Sequence, residues 1–281
     1  EVKMEKRNEK GQTLQEFLKA YNPKDFVRPS VTVDMLLFAT DEKRERLKIL
    51  LVKRKDHPFI GEWAFPGGFI NIDESAYEAA CRELEEETGL KGIYMEQLYT
   101  FTNPKRDPRM RVIDIAYMAL VPMMPVKAGD DAKEAVWFDV TATKEEILLS
   151  HEDVTIRYKL EEKQFHNGKV SVNGIVPVPE TETKLAFDHA EILLEGITRL
   201  RNKMLYTDII FNLMPDKFSI LDIRDLYRVI MNEDIHPQKV RRMFGRYIEK
   251  TQETKDDKLG RPELLYQVKN QAMIKGGDKD E

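Results

Sequence analysis

The chain has 281 residues, of which 41% are hydrophobic and 34% are charged, and its formal net charge is −5. This length favours two domains, and the mixed charge gives no overall signal for binding to nucleic acid or to a membrane surface. With Cys81 as the single cysteine, an internal disulfide is excluded. Because no apolar run reaches the roughly 18 residues of a membrane span and no hydrophobic signal core is present, we expect a cytoplasmic protein without membrane contact.

The N-terminal part of the chain is predicted to contain a short helix followed by strands. An amphipathic helix is predicted over Thr13–Tyr21, within a leading segment of residues 1–30. The apolar runs Val31–Ala39 and Leu47–Lys53 predict two strands, and the Gly- and Pro-containing stretch Gly61–Gly68 predicts a loop. Further strands are predicted at Tyr94–Phe101, Arg111–Val121 and Ala135–Asp139.

A central helix is predicted over Ser75–Thr88, because small and apolar residues recur there every four positions. Gly89 follows its last turn, where the left-handed cap conformation costs least for glycine. Strands on both sides of one helix predict an α/β domain over residues 31–184. An inserted hairpin is predicted within it at about residues 154–178, since Asn167–Gly168 is a two-residue turn signal between alternating segments.

The rest of the chain is predicted to form a connecting helix and a winged-helix domain. Residues 185–204 have the apolar pattern of a long connecting helix. Within residues 205–269, three helices are predicted at about Tyr206–Met214, from Ser219 to about Met231, and from Pro237 to about Ile248. Two short strands are predicted around Lys258–Pro262, and three helices with a terminal hairpin are typical of a winged helix. The polar residues 270–281 are expected to be disordered.

Three carboxylates are expected to share one face of the central helix. At about 100° per residue, Glu83, Glu86 and Glu87 fall within a sector roughly 100° wide. Glu85 points the opposite way. Carboxylates this close repel one another, and a divalent cation removes that penalty. Hard oxygen ligands at this density suit Mg²⁺ or Mn²⁺, whereas the alternative interpretation is a solvated acidic face without a metal.

Two neighbouring features favour a metal site. Gly67–Gly68 lie just before the helix, where the backbone can approach a ligand closely. Glu74 precedes Arg82 by two helical turns, a spacing that allows a salt bridge to fix the loop to the helix.

Residues 68–90 resemble the signature of the Nudix, or MutT-like, hydrolases, which is G-x5-E-x7-R-E-U-x-E-E-x-G-U with U apolar. Every fixed position matches, and the matching residues are Gly68, Glu74, Arg82, Glu83, Leu84, Glu86, Glu87, Gly89 and Leu90. The resemblance implies a mixed sheet with helices on both sides. It also implies hydrolysis of a nucleoside diphosphate linked to another group.

The same resemblance implies roles for individual residues. Glu83, Glu86 and Glu87 would bind the metals, and the carbonyl oxygen of Gly68 would complete the metal shell. The catalytic set would be Glu83, Glu86, Arg82 and Glu74, with Arg82 paired to Glu74. In chemical terms, a metal neutralises the pyrophosphate oxygens and acidifies a water, and a carboxylate takes the proton.

The substrate is predicted from residues outside the signature. Pro104 stands 15 residues after Gly89, where a proline is associated with the ADP-ribose hydrolases of the family. Arg106 and Arg109 are predicted to bind substrate phosphates bidentately, and the alternative is a charged hairpin tip.

Three more residues are candidates for the site: Glu134, Trp137 and His189. Glu134 is a further candidate base or metal ligand. Trp137 is predicted to lie in the core rather than to stack on adenine. His189 is predicted to serve the domain junction rather than catalysis.

A basic surface is predicted in the C-terminal domain. Four basic residues lie on the predicted third helix, and two on the wing: Lys239, Arg241, Arg242 and Arg246, then Lys258 and Arg261. DNA phosphates are contacted by such a helix and wing, so we predict DNA binding. The alternative is a module for dimerisation or protein binding.

Three segments resemble regulators of NAD or sugar metabolism that fuse a Nudix-like domain to a winged helix. They lie around Tyr21–Asp34, at Leu185–His189 and at Gly260–Tyr266. Some of these regulators have lost signature residues and only sense ADP-ribose or a sugar, whereas this chain keeps the whole signature.

We therefore expect a Mg²⁺-dependent Nudix hydrolase of ADP-ribose or a similar nucleotide, fused to a DNA-binding winged helix and forming a homodimer. The alternative is a transcription regulator that responds to ADP-ribose or a sugar with little or no turnover. A third possibility is a Nudix enzyme whose C-terminal module only dimerises or binds protein.

Overall fold

A computed structural model describes residues 6–127, 132–255 and 262–269. The predicted wing residues Lys258 and Arg261 and the predicted disordered tail at residues 270–281 lie outside the described residues. Within the part of the chain that the structure describes, no helix is both long and apolar enough to cross a membrane.

The N-terminal domain is built on one mixed sheet. In chain order its strands are β1 (Ser30–Thr40), β2 (Leu47–Arg54), β3 (Trp63–Ala64), β4 (Gly67–Phe69), β5 (Glu96–Phe101), β6 (Val112–Leu120), β7 (Ala132–Ala142), β8 (Glu146–His151), β9 (Val154–Asn167) and β10 (Val170–Pro179). The order along the sheet is β10-β9-β8-β7-β2-β1-β6-β5, with β3 beside β2 and β4 beside β1. β1 and β6 run parallel, and the other paired strands run antiparallel.

Two of the helices cover opposite faces of this sheet. The α-helices are α1 (Leu14–Ala20), α2 (Ala76–Thr88), α3 (His189–Met204), α4 (Ile220–Met231) and α5 (Pro237–Phe244). Along β1 the side chains alternate, so that Met35 and Leu37 pack with α2 while Leu36 and Phe38 pack with α3. A Cβ atom on Gly196 of α3 would lie only 2.0 Å from a methyl carbon of Leu36, so α3 lies very close to the sheet.

The inserted hairpin is present as β9 and β10, preceded by β8, which the sequence did not predict. The turn lies one residue later than predicted. Asn167 pairs with Val170, which leaves Gly168–Lys169 as the two-residue loop. Gly168 has φ +61°, a left-handed conformation that costs least for glycine.

The C-terminal domain contains α4, α5 and an antiparallel pair of strands, β11 (Ile248–Lys255) and β12 (Glu263–Val268). The predicted helix at Tyr206–Met214 is instead a 3-10 helix over Ile209–Leu213. The carbonyl oxygen of Tyr206 accepts hydrogen bonds from Arg246 and Tyr247, so it is not used in a helix.

The third predicted helix is also shorter than expected. It was predicted to reach about Ile248, but α5 ends at Phe244. Ile248 is buried and opens β11 opposite Val268, which stops the helix earlier. Arg246, which the sequence placed on this helix, therefore lies beyond its end.

The connecting helix begins at His189 rather than at Leu185. Leu185 forms a bridge with Trp63, and Phe187 has φ +52°, so residues before His189 are held outside the helical conformation. Buried side chains of α3, such as Leu200 and Met204, belong to one hydrophobic cluster that continues from the sheet into the C-terminal domain. The two domains therefore share a continuous apolar core.

Polar contacts cross the same junction. Arg44, in the turn between β1 and β2, forms an ion pair with Asp222 of α4. Arg201 of α3 donates to the carbonyl oxygen of Ala142 at 2.6 Å and to that of Ile230 at 2.9 Å. These bonds link the end of β7, α3 and α4.

Candidate active site

The position of α2 is fixed at both ends. At its N-terminus, Ser75 accepts a hydrogen bond from the backbone of Glu78, and the Glu78 carboxylate accepts one from the backbone of Ser75. At its C-terminus, Gly89 adopts φ +75° and closes the last turn. Such caps typically stabilise a helix by about 1 kcal/mol each. Because Ala80 and Leu84 are buried against the sheet, the acidic face of the helix is turned away from the core.

The ion pair expected between Glu74 and Arg82 is present. Arg82 donates to both carboxylate oxygens of Glu74, from Nε at 3.0 Å and from Nη2 at 2.6 Å. These bonds lower the pKa of Glu74 to about 2. Arg82 also donates from Nη1 to Glu83 at 2.7 Å and to Glu86 at 3.1 Å, and from Nη2 to the carbonyl oxygen of Phe69 at 3.1 Å. Arg82 thus holds the loop before α2 and orients two of the predicted metal ligands.

Glu83 and Glu87 both face a cavity of about 770 Å³. Glu87 accepts a hydrogen bond from the backbone N–H of Gly67 at 2.8 Å. Burial raises the pKa of Glu87 to about 8, opposed by the Gly67 hydrogen bond and reinforced by the nearby negative charges of Glu83 and Asp34. Burial also raises the pKa of Glu83. A Cβ atom on Gly68 would lie 2.2 Å from the Glu83 carboxylate, so only glycine allows this approach.

Glu86 and Glu85 lie elsewhere on the helix surface. The Glu86 side chain is 59% exposed and pairs with Arg82 at the rim, outside the cavity lining. Glu85 pairs with Lys91 at 2.5 Å, on the side away from the cavity, as the helical spacing predicted. The proposed set of three ligands therefore divides into two cavity carboxylates and one rim carboxylate.

The cavity carboxylates fit a hard divalent cation. Among the described residues, no group of three or more His, Cys, Asp or Glu side chains is arranged to enclose a metal by itself. Mg²⁺ commonly keeps several waters and binds through one or two carboxylates together with substrate phosphates. Burial raises the pKa of Glu83 and of Glu87 because it disfavours their negative charges, and a bound cation would offset that cost.

Cationic and aromatic side chains also line the cavity, including Arg54, Arg109 and Phe187. Arg109 pairs with Asp107 at 2.8 Å, and its guanidinium carbon lies 5.3 Å from the ring centre of Phe69. The guanidinium carbon of Arg54 lies 5.0 Å from the ring centre of Phe187. The cavity is therefore lined by both carboxylates and arginines.

Arg106 was predicted to bind substrate phosphates, but its guanidinium is already engaged. It donates to both carboxylate oxygens of Asp188, at 2.9 and 2.7 Å, and to Asp34 at 3.4 Å. Its side chain is only 4% exposed. In this arrangement Nε and Nη2 of Arg106 bind buried carboxylates while the residue also lines the cavity, so its contact with a substrate phosphate stays a prediction.

Arg106 belongs to a buried polar network that we call the Arg106 cluster: Asp34, Arg106, Asp114, Asp188 and His189. His189 accepts a hydrogen bond at Nδ1 from the backbone N–H of Phe65 at 2.9 Å, so in the neutral ring Nε2 carries the proton, 3.3 Å from Asp34. Burial and the neighbouring negative charge of Asp34 raise the pKa of Asp114 well above its usual value. The network therefore gathers three aspartates around one arginine and one histidine.

The cluster connects the cavity to α3. Asp188 caps and His189 opens that helix, while Asp34 lies on β1 and Asp114 on β6. His189 lies at the domain junction, as predicted, and it also lines the cavity. Asp34 and Asp114 were not among the predicted site residues, although a charged residue inside an apolar strand is a usable signal.

The other two candidate residues, Trp137 and Glu134, are not among the residues that line the cavity. Trp137 is buried and donates to the carbonyl oxygen of Met124 at 2.9 Å, which confirms the predicted core position. Glu134 is half-exposed and lies 3.4 Å from the ammonium group of Lys53. The structure thus gives Glu134 no contact with the cavity carboxylates.

The predicted DNA-binding residues of α5 form one exposed surface. Lys239, Arg241 and Arg242 are exposed, whereas Val240 and Phe244 on the other face are buried. Among the described residues, no carboxylate lies within ion-pair distance of these three basic side chains.

Arg246 is exposed but differently placed. It donates to the carbonyl oxygen of Tyr206 at 3.2 Å and stacks on the ring of Tyr247, with 4.5 Å between the guanidinium carbon and the ring centre. Arg246 therefore helps to hold the segment around Tyr206.

Family models match both parts of the chain. A model described as the NUDIX domain matches residues 28–170. The chain belongs to the Nudix family. A second model, described as the NrtR DNA-binding winged helix domain, matches residues 210–268. Both the Nudix resemblance and the predicted architecture, an α/β Nudix fold followed by a winged helix, are confirmed.

Two curated relatives of this chain have names that refer to ADP-ribose. The "ADPR responsive transcriptional repressor NtrR" of Acinetobacter baylyi is 30% identical over 90% of this chain and 87% of its own length. The "ADP-ribose pyrophosphatase" of Methanocaldococcus jannaschii is 41% identical over 47% of this chain and 75% of its own length.

Solved structures that cover most of this chain are also similar to it. A MutT/nudix family protein from Enterococcus faecalis has a TM-score of 0.75 and 34% identity, covering 92% of this chain and 94% of that protein. NrtR from Shewanella oneidensis, crystallised with a 27mer DNA, has a TM-score of 0.61 and 27% identity, covering 85% and 93%. The resemblance to Nudix-linked regulators therefore holds over most of the chain.

Proposed function

We propose that this Nudix protein hydrolyses the diphosphate linkage of ADP-ribose, with Mg²⁺ as the preferred metal and Mn²⁺ as an alternative. One observation carries the proposal: Glu83 and Glu87 face a cavity that arginines also line, and Glu87 is bonded to the backbone of Gly67. A cation held by the carboxylates would act together with the arginines to match the negative charge of a diphosphate. The relative named ADP-ribose pyrophosphatase supports the choice of substrate.

The residues of α2 and of the loop before it have different proposed roles in the reaction. A divalent cation held by Glu83 and Glu87 would add positive charge at the diphosphate and make water a better nucleophile. Glu83 lies against Gly68 and is oriented by Arg82, so it is the carboxylate we assign to accept the proton of the attacking water. Glu86 remains a proposed metal ligand from the rim. Glu74 acts indirectly, by fixing Arg82.

The direct test is turnover with Mg²⁺ of ADP-ribose beside NADH, sugar nucleotides and dinucleoside polyphosphates. We expect AMP and ribose 5-phosphate from ADP-ribose at the highest kcat/KM of the panel. Preferred cleavage of another member would overturn the substrate. Absence of cleavage in the whole panel, with bound ADP-ribose detected by calorimetry, would leave a binding protein and overturn the hydrolase.

A second candidate function is favoured by the C-terminal domain. We infer that the winged helix binds DNA and that ADP-ribose regulates this binding. The exposed basic face of α5, the winged-helix match over residues 210–268 and the repressor relative support this inference. A gel shift with DNA from upstream of the protein's own gene tests it, and the absence of any salt-dependent shift would contradict it.

The DNA proposal carries an expectation about assembly. Winged-helix and helix-turn-helix proteins commonly bind two half-sites as a dimer. We therefore propose a homodimer that presents two α5 helices. Light scattering after size exclusion should give twice the mass of 32.9 kDa, and a mass of one chain at micromolar concentration would contradict it.

A further inference from the structure

The inserted hairpin leaves a free strand edge. β10 lies at one end of the sheet, and within the described chain it pairs only with β9. The described side chains of residues 161–173 are all exposed, so this part of the hairpin is a two-stranded ribbon without a covering layer. Such a ribbon alone is marginally stable in water, and its open edge presents backbone groups to which another strand can bond.

The backbone alternation of β10 shows which groups lie on the free edge. Glu180, directly after β10, donates from its backbone N–H to the carbonyl oxygen of Arg157 on β9 at 2.9 Å. The pairing with β9 continues without a register shift from Pro179 back to Val170. Successive N–H groups of a strand point to opposite edges, so the even-numbered residues of β10 point to β9 and the odd-numbered ones point outward.

Three outward N–H groups belong to the strand, those of Ser171, Asn173 and Ile175. Pro177 and Pro179 are the other odd-numbered residues, and neither has an N–H group, which is tolerated at a sheet edge. The free donors are therefore confined to the part of β10 next to the turn, with Asn173 at their centre. Residues 170–178 also lack a charged side chain, one of the usual protections of an edge strand.

One face of the ribbon beside this edge is apolar. Side chains of paired residues share a face, so Val170 and Val172 lie on the same face as Phe165. These three side chains are 60%, 55% and 47% exposed. A Cβ atom on Gly174 would lie 2.7 Å from the Phe165 ring, so the ring covers the backbone at that position.

We propose that β10 pairs with β10 of a second copy of this chain, antiparallel about a two-fold axis at Asn173. This register places Ser171 opposite Ile175 of the second copy, and Asn173 opposite its own counterpart. All three free N–H groups of each strand then meet a carbonyl oxygen, which gives three bonds from each copy. The inference rests on the proposed homodimer, for which it names the contact surface.

The symmetry of the edge favours a second copy over a strand of another protein. A two-fold axis makes each copy use the same surface, and the three free donors are distributed evenly about one residue. The same register places Val172 opposite Gly174 of the second copy, beside the Phe165 ring of that copy. Because the strand carries no charge, two copies do not repel each other along it.

The size of the contact predicts its strength. Strand pairing with the apolar face would bury on the order of 1,000 Å² in total, near the lower limit for a specific interface. We therefore expect a dimer that forms in the micromolar range and dissociates on dilution.

The first experiment compares Asn173→Pro with Asn173→Thr in the full chain, by light scattering and sedimentation velocity across the micromolar range. Proline removes the central N–H group and should leave the hairpin intact, because Pro177 and Pro179 occupy the same orientation. We expect Asn173→Pro to weaken dimerisation at least tenfold, since both central hydrogen bonds are lost. Asn173→Thr keeps the N–H group and should dimerise like the unaltered protein.

Charge on the apolar face gives an independent variant. Val172→Lys should also weaken dimerisation at least tenfold, because it buries an ammonium group beside Phe165 of the second copy. Gln164→Lys is the matched control, since Gln164 lies on the opposite face of the same ribbon and should leave the dimer unchanged.

The register is tested by cross-linking with oxidised glutathione in a Cys81→Ser background, where an introduced cysteine is the only one. In a hydrogen-bonded antiparallel pair the two Cα atoms lie about 5.5 Å apart, within reach of a disulfide. Asn173→Cys should therefore give a covalent dimer. Ser171→Cys should not, because the two copies of Ser171 would lie on the order of 13 Å apart.

The outcomes separate this inference from the proposed function. If Asn173→Pro and Val172→Lys are dimers as stable as the unaltered protein, the β10 contact is overturned and the homodimer stands. A single-chain mass of the unaltered protein throughout the micromolar range overturns both. Equal cross-linking of Ser171→Cys and Asn173→Cys contradicts the register. If Asn173→Pro does not fold, Val172→Lys and the two cysteine variants decide.

Discussion

The α2 wall of the cavity and the Arg106 cluster are built in different ways. The α2 wall comes from one continuous segment, Gly67–Glu87, and its charged pairs lie at or near the surface. The Arg106 cluster combines residues from β1, β6, the loop after β5 and the start of α3, and most of it is buried. A substitution on the α2 wall changes charge beside the cavity, whereas a substitution in the cluster leaves buried charge without a partner.

The largest effect is expected from a substitution in the buried Arg106 cluster. Arg106→Met should lower the free energy of unfolding by about 3–5 kcal/mol, because Asp34 and Asp188 lose a buried ionic partner. Denaturant unfolding measures the change. The control is Arg46→Met, whose side chain is 65% exposed and pairs with Asp139, a carboxylate that also contacts Lys48. A loss no larger than that of the control would show that the cluster does not stabilise the fold.

Substitutions on the α2 wall should have the opposite effect: activity should be lost while the fold is kept. Glu83→Gln should reduce turnover of ADP-ribose by about a hundredfold or more, equivalent to about 2.7 kcal/mol, while the Tm stays within the range of surface variants. Glu86→Gln should have a comparable effect if the rim carboxylate binds metal.

Glu85→Gln is the control for this pair, because Glu85 lies on the same helix and points to Lys91. We expect it to be nearly silent in kcat and KM. Equal losses at Glu85 and Glu83 would contradict the assignment of one catalytic helix face.

The same contrast explains what the sequence could predict. The α2 wall was predicted because one helical period and one contiguous motif place Glu74, Arg82 and Glu83 together. The Arg106 cluster was not, since the pairing of Asp34 with His189 depends on a tertiary contact across 155 positions of chain. Arg54 lines the cavity but was not predicted to do so, because a basic residue at the end of a strand is usually exposed to solvent.

The limits of the helices show the same dependence on distant partners. Capping residues local in sequence, such as Ser75 and Ser219, correctly indicated where helices begin. The end of α5 was wrong because it depends on Ile248 pairing with Val268, 20 positions later. Arg246 was consequently assigned to the helix when it belongs to the turn that follows.

Coupling between the cavity and the C-terminal domain should give an intermediate effect. Asp188 and His189 join the Arg106 cluster to α3, and Arg201 on the same helix bonds to the end of α4. We expect saturating ADP-ribose to change DNA affinity about 5–150-fold, and DNA to change ADP-ribose affinity by the same factor. DNA titration with Glu83→Gln, which prevents turnover, measures this change. Identical DNA affinity with and without the ligand would rule out ADP-ribose as the effector while leaving the hydrolase proposal untouched.

The smallest effect is expected at the exposed helix α5, which is proposed to contact DNA phosphates. Arg241→Gln and Arg242→Gln should each reduce the salt slope of DNA binding by about one and weaken binding evenly across DNA sequences. Arg246→Gln carries the same charge change but removes a side chain that already bonds to Tyr206, so it should change the salt slope less. If Arg246→Gln equals the other two variants, the guanidinium leaves Tyr206 on binding DNA, and the contacting surface extends beyond α5 into the turn.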